Sequence, residues 1–114
     1  MFVNSPFNGL WTVEFISTVN RFGKGVLVLL DGRLFGGDAG YYYSGRYEIT
    51  GNTIQGNVNV TRFDANSISV FGDINQFALS FAGEINSTSI SAVASLVSTP
   101  KFKMRMIGNK KEDF

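Results

Sequence analysis

The sequence predicts an all-β protein: a single antiparallel eight-stranded β-barrel forming one domain over residues 1–114. Three observations carry that expectation. Apolar and polar residues alternate in short segments. Turn signals interrupt the alternation about every 8–12 residues. No helical stretch is available to cross between parallel strands. A sheet with this many strands and regularly placed glycines tends to close, because closure removes unpaired edges. Eight strands enclose an interior that is either filled by side chains or just able to hold one small ligand.

The segments follow in order. Leu10 to Thr18 sets Trp11, Val13 and Phe15 against Thr12 and Glu14. Gly25 to Leu30 is a nearly continuous apolar run ending in Asp31-Gly32, a pair that accepts the positive φ of a two-residue hairpin. Arg33-Leu34-Phe35 begins the return strand. Gly36-Gly37-Asp38-Ala39-Gly40 is too rich in glycine for a strand interior and is expected to be a loop. A strand from Tyr41 to Thr50 then closes at Gly51-Asn52. Thr53 to Arg62 puts Ile54, Val58 and Val60 on one face and Gln55, Asn57, Asn59 and Thr61 on the other. Gly56 falls on the apolar side, where a missing side chain suggests a bend or bulge.

Asp64-Ala65-Asn66-Ser67 marks a loop, and Ile68 to Phe71 reads as a short strand. Phe77, Leu79, Phe81 and Ile85 alternate with polar or small residues, with Gly83 among the apolar positions. Asn86-Ser87 makes a turn. Ser89 to Thr99 is ambiguous, since Ile90, Val93, Ala94 and Val97 fit a helix while Ile90, Ala92, Ala94 and Leu96 fit a strand. Serine and β-branched residues are modest helix formers, and the neighbours are strands, so strand is preferred. Phe102, Met104 and Met106 alternate with Lys101, Lys103 and Arg105 in the last strand. The ends, residues 1–8 and 109–114, are expected to be flexible.

Composition narrows the function. Charged residues are 17% of the chain, below the roughly 25% of an average domain. A charge-poor surface leaves area to bury, which points to an oligomer or a hydrophobic-ligand binder. The net charge of +1 provides no global field for nucleic acid or an anionic membrane. Histidine and cysteine are both absent, which removes the usual general base, the usual nucleophile–base pairs and the commonest transition-metal ligands. The acids are scattered singly apart from Glu112-Asp113, so the chain is expected to be no enzyme and to hold no metal or cofactor. No run approaches the ~20 apolar residues of a membrane helix. Met1 to Pro6 lacks the basic start and long apolar stretch of a secretion signal, so the expected location is the cytoplasm.

The candidate binding residues are Asp38, Tyr41 and Tyr43. The glycine-rich segment around Asp38 invites comparison with a phosphate loop, but such a loop needs a helix behind it and usually a lysine. The bland alternative is an Asx turn, with Asp38 bonding nearby N–H groups. Tyr41 and Tyr43 share one sheet face, with Tyr42 on the other. They suit stacking on a ligand or anchoring an interface, or else simple β-propensity with hydroxyls reaching solvent. Lys101, Lys103, Arg105, Lys110 and Lys111 hold half of the ten basic residues. Single-stranded nucleic acid would need aromatics on that same face, and Phe102 points away. A solvated edge strand explains the same pattern. Asn59-Val60-Thr61 and Asn86-Ser87-Thr88 match the glycosylation sequon and are read as chance.

The order of motifs carries a resemblance. Gly9-Leu10-Trp11-Thr12-Val13-Glu14-Phe15 is followed by Gly23-Lys24-Gly25-Val26-Leu27-Val28, Asp31-Gly32, Leu34-Phe35-Gly36-Gly37-Asp38 and Tyr43-Ser44-Gly45-Arg46-Tyr47. Over roughly the first 60 residues this resembles the GrlR-type negative regulators of type III secretion. The resemblance implies a lipocalin-like barrel with an apolar cavity, dimerising through hydrophobic contacts, that regulates by capturing a transcriptional activator. The best-known members present acidic residues to that partner in a hairpin turn. The corresponding stretch here, Thr50-Gly51-Asn52-Thr53, has no acid, so fold and dimerisation transfer better than the partner.

Two functions are therefore expected. The first is a homodimeric regulatory module that binds a protein partner. The second is a carrier or sensor of a small hydrophobic ligand, with Gly56 and Gly83 leaving the internal space.

Overall fold

A computed structural model describes residues 5–114. Among them the chain forms eight strands: β1 (Gly9–Ser17), β2 (Phe22–Leu30), β3 (Arg33–Gly37), β4 (Tyr41–Thr50), β5 (Thr53–Arg62), β6 (Gln76–Ile85), β7 (Ser89–Leu96) and β8 (Lys103–Asp113). Each pairs antiparallel with the next, and β8 returns to β1, so the sheet is a closed all-β barrel. Inward positions are apolar at a period of two, as the burial of Trp11, Val13 and Phe15 against exposed Glu14 illustrates on β1.

Several boundaries differ from the sequence expectation. Gly36 and Gly37 belong to β3, paired with Tyr43 and Tyr42, so the expected five-residue loop shrinks to Asp38–Gly40. Ile68 to Phe71 is not a strand. β5 and β6 pair directly from Thr53↔Glu84 to Thr61↔Gln76, leaving no place between them, and the segment carries only a Ser69↔Gly72 bridge. Ser89–Leu96 is strand, with Ile90, Ala92, Ala94 and Leu96 inward. Asn109 to Asp113, expected to be flexible, continues β8 and pairs with β1 as far as Gly9↔Asp113. Phe7 packs against the core, and Asn8 is buried, so that end is held too; Met1–Asn4 of the expected flexible end lie outside the described residues. β8 has a partner on both sides and is no edge strand.

The two ends of the barrel are built differently. At one end β2–β3 and β4–β5 turn through two residues each, Asp31-Gly32 and Gly51-Asn52. Asp31 and Gly32 have φ of 49° and 86°, the left-handed pair that matches strand twist in a tight hairpin. Asn8 fastens the segment before β1 to this turn: its amide donates to Asp31 Oδ1 at 2.9 Å and its carbonyl accepts from Asp31 N at 3.0 Å. Trp11 is fully buried below, its Nε1 donating to Phe7 O at 3.0 Å. Leu29, Ile54, Ile85 and Ile90 fill this end.

Lys110 completes the plug. Lys110 has the inward parity of Met104, Met106 and Gly108 on β8 and pairs with Trp11, with its side chain 8% exposed and Nζ 2.5 Å from both Pro6 O and Asp113 Oδ1. It therefore leaves the basic face to which the sequence assigned it.

Candidate ligand cavity at the lidded end

The opposite end carries the longest connection, residues 63–75 between β5 and β6. It folds back over the barrel mouth as a lid. Arg62, the last residue of β5, ties it down: Nη1 donates to Ser67 O at 2.8 Å and pairs with Asp73 at 2.5 Å, while Nε donates to Asn75 Oδ1 at 3.0 Å. The bond to Asp73 raises the guanidinium's already high pKa, so the clamp stays charged. A second tie comes from the β3–β4 loop, where Gly40 O accepts from Phe63 N at 2.9 Å. Phe71 meets Phe77 edge-on at 5.7 Å, and Tyr41 donates its hydroxyl to Ile74 O at 2.9 Å.

Beneath this lid lies a cavity of about 590 Å³. Its floor includes Leu79, Phe81, Ala94 and Met106, and its roof Val70 and Phe71. The lining also reaches exposed Phe22 and Ile68, so the cavity opens to solvent between β2 and the lid. A cavity of roughly 300–1,000 Å³, mostly apolar with a few placed polar groups, is the usual form of a small-molecule site.

All three candidate residues converge here. Asp38, Tyr41 and Tyr43 line the same cavity. Tyr41 and Tyr43 share the inward face, as alternation required, and Tyr42 is exposed. Their hydroxyls do not reach solvent, against one sequence alternative. Tyr43 donates to Asp38 Oδ2 in a short hydrogen bond, while Asp38 Oδ1 accepts from Gly40 N and Tyr41 N at 2.9 Å each. The Asx turn is thus present, and it also aims a carboxylate at the barrel interior. Burial, then the bond and charge of Asp38, push the Tyr43 phenol far above its ordinary pKa of 10.0. It stays protonated as a donor. Phe15 braces the Tyr43 ring edge-on at 6.1 Å.

The source of the space differs from the expectation. Gly56 and Gly83 do not line the cavity. A Cβ on Gly56 would lie 2.9 Å from the Phe81 ring, and one on Gly83 2.8 Å from Ala92 Cβ, so both glycines admit neighbours rather than emptiness. Pairing through Gly56 is continuous, without a bulge. The hollow comes instead from small inward residues such as Ala94 and Val60 and from a lid in place of a tight hairpin. The lid is the part sequence reasoning missed; a thirteen-residue gap between Arg62 and Gln76 was the available signal, since connections that long are usually functional.

Outside the barrel, a second apolar feature runs across β1 to β4. Leu10 neighbours Val28, and Val28 neighbours Phe35. Val26 reaches Tyr42 across Gly37. Val26, Leu30, Phe35 and Tyr42 are all exposed. On β8, Lys103 and Arg105 face outward with Val93 and Ile16 beside Arg105. Among the described residues no group of three His, Cys, Asp or Glu side chains could hold a metal ion, and no helix is long and apolar enough to cross a membrane. No protein-family model matches the chain, and no curated protein matches it in sequence.

Proposed function

We propose that the protein is a non-enzymatic binding protein that encloses one small apolar ligand in the lidded end of a lipocalin-like barrel. The observation that carries this is the cavity of about 590 Å³ with an apolar wall, a buried Tyr43 phenol bonded to the half-buried Asp38 carboxylate, and a pinned lid. Burying apolar ligand surface is worth about 25 cal/mol per Å², so affinity comes from the wall. The polar pair orients the ligand. Native mass spectrometry of protein purified without detergent tests this. A 1:1 lipid-like adduct, lost on organic extraction and regained on adding the extract back, is expected; a stripped protein that takes up nothing contradicts it.

A second reading rests on the outer apolar face of β1 to β4. There Val26, Leu30, Phe35 and Tyr42 are exposed together, as suits burial against a second copy or a regulatory protein. It agrees with the GrlR-like motif order, including a cytoplasmic homodimer that captures an activator of type III secretion. Light scattering at micromolar concentration should give twice the chain mass, and Phe35→Ser should return it to the monomer. A wild-type monomer contradicts dimerisation. The two readings are compatible, since a ligand that orders the lid beside β4 also bears on the β1–β4 wall.

A further inference from the structure

Resting on the cavity reading, we infer that the ligand carries a hydrogen-bond donor, a hydroxyl or an amine, at the end that meets Asp38 and Tyr43. Proton counting gives this result. Four hydroxyls line the cavity: Tyr41, Tyr43, Ser67 and Ser69. Each has one proton to donate, and each has already placed it. Tyr41 donates to Ile74 O at 2.9 Å, Tyr43 to Asp38 Oδ2, Ser67 to Asp64 Oδ2 at 3.2 Å, and Ser69 to Gly72 O at 2.8 Å. What these oxygens still offer is lone pairs.

Asp38 adds to the same imbalance. A carboxylate has about four acceptor positions, and the two backbone N–H groups and the Tyr43 hydroxyl occupy three. The position left is on Oδ2, beside the lone pairs of Tyr43. A ligand hydroxyl or amine placed there finds acceptors and a negative charge. A ligand carboxylate finds neither a donor nor a counter-charge among these groups. The basic groups on the lining, Arg21 and Lys24, belong to exposed residues at the rim. Lys24 also faces Glu14 across a solvated 3.8 Å pair, so an acid could reach cations only by leaving its head in water.

The experiment compares three ligands with one chain length. 1-Decanol, decylamine and decanoic acid compete at pH 7 for the protein against the fluorescent apolar probe N-phenyl-1-naphthylamine. Decanol and decylamine should displace the probe at concentrations about tenfold lower than decanoic acid, the scale of one buried polar group left unpaired. The alcohol and amine arms separate a neutral donor from a charged one.

Asp38→Asn should narrow or invert the preference. Its oxygen still serves the two N–H groups, while its amide donates to Tyr43 and frees the phenol proton for a ligand. Tyr43→Phe, which leaves Oδ2 facing the cavity, should keep the preference for donors and serves if Asp38→Asn folds poorly. Equal displacement by all three ligands overturns the donor assignment and leaves the cavity standing. Preference for the acid overturns it in favour of the rim cations. A probe that never binds overturns the cavity reading, and this proposal with it.

Discussion

The two ends of the barrel share the same eight strands and the same inward alternation, yet one is solid and the other hollow. At the hairpin end, inward residues are large: Trp11, Leu29, Ile54, Ile85 and Ile90 meet with no exposure above 2%, and Lys110 closes the gap below. At the lidded end, Ala94, Val60 and two flexible methionines leave a space that Val70 and Phe71 roof from outside the sheet. Strand pairing therefore sets the shape, while side-chain volume and loop length decide whether the inside is core or pocket.

Leu29 and Leu27 offer the sharpest contrast, because both point inward from β2 two residues apart, and only Leu27 lines the cavity. Leu29→Ala opens a new void in packed surroundings and should cost about 3–5 kcal/mol. Leu27→Ala enlarges an existing void and should cost about 2 kcal/mol, near the transfer value alone. Urea denaturation followed by circular dichroism measures both. Equal losses would mean the two ends are packed alike.

Tyr43→Phe removes the phenol from Asp38 and should cost about 1 kcal/mol at pH 7. Its pH dependence is more telling. Below pH 10 the phenol is protonated in both folded and unfolded chains, so it adds no pH dependence. Above its ordinary pKa of 10.0 the unfolded chain releases a proton that the folded protein holds, so stability falls as pH rises. Thermal melts at pH 9 and pH 11 should show a smaller drop for Tyr43→Phe than for wild type. An identical drop would mean that Tyr43 is not held protonated in the cavity wall.

Smaller effects should separate the ends functionally. Gly32→Ala forces a side chain into φ of 86° at the solid end and should cost about 1 kcal/mol, with probe binding unchanged. Arg62→Gln breaks the lid clamp without touching the packed core. Hydrogen exchange should quicken across residues 63–75 while β1 and β8 keep their protection, and the melting temperature should hardly move. Global loosening would show the loop to be part of the core instead.

Much of this was legible in the chain itself. Alternation places Trp11, Val13, Tyr41, Tyr43 and Met104 inward because a strand has only two faces. Asp31-Gly32 specifies its hairpin through backbone conformation alone. The meeting of Asp38 with Tyr43 was not legible, since it depends on how far a phenol reaches along the inner wall. Ile68 to Phe71 has the local pattern of a strand, and only the direct pairing of β5 with β6 turns it into a lid. Lys110 reads as surface charge by residue type, although alternation from Met104 and Met106 already places it inward. Only at Ile68 to Phe71 did long-range pairing override the local pattern.

The central claim is that the lidded end holds a ligand, and filling that space tests it most directly. N-phenyl-1-naphthylamine should bind wild type in a 1:1 ratio with enhanced fluorescence. Ala94→Leu should weaken binding and Ala94→Phe should abolish it, while both variants melt no lower than wild type because the added atoms occupy existing space. Undiminished binding by folded Ala94→Phe, or no binding by wild type, would contradict the account.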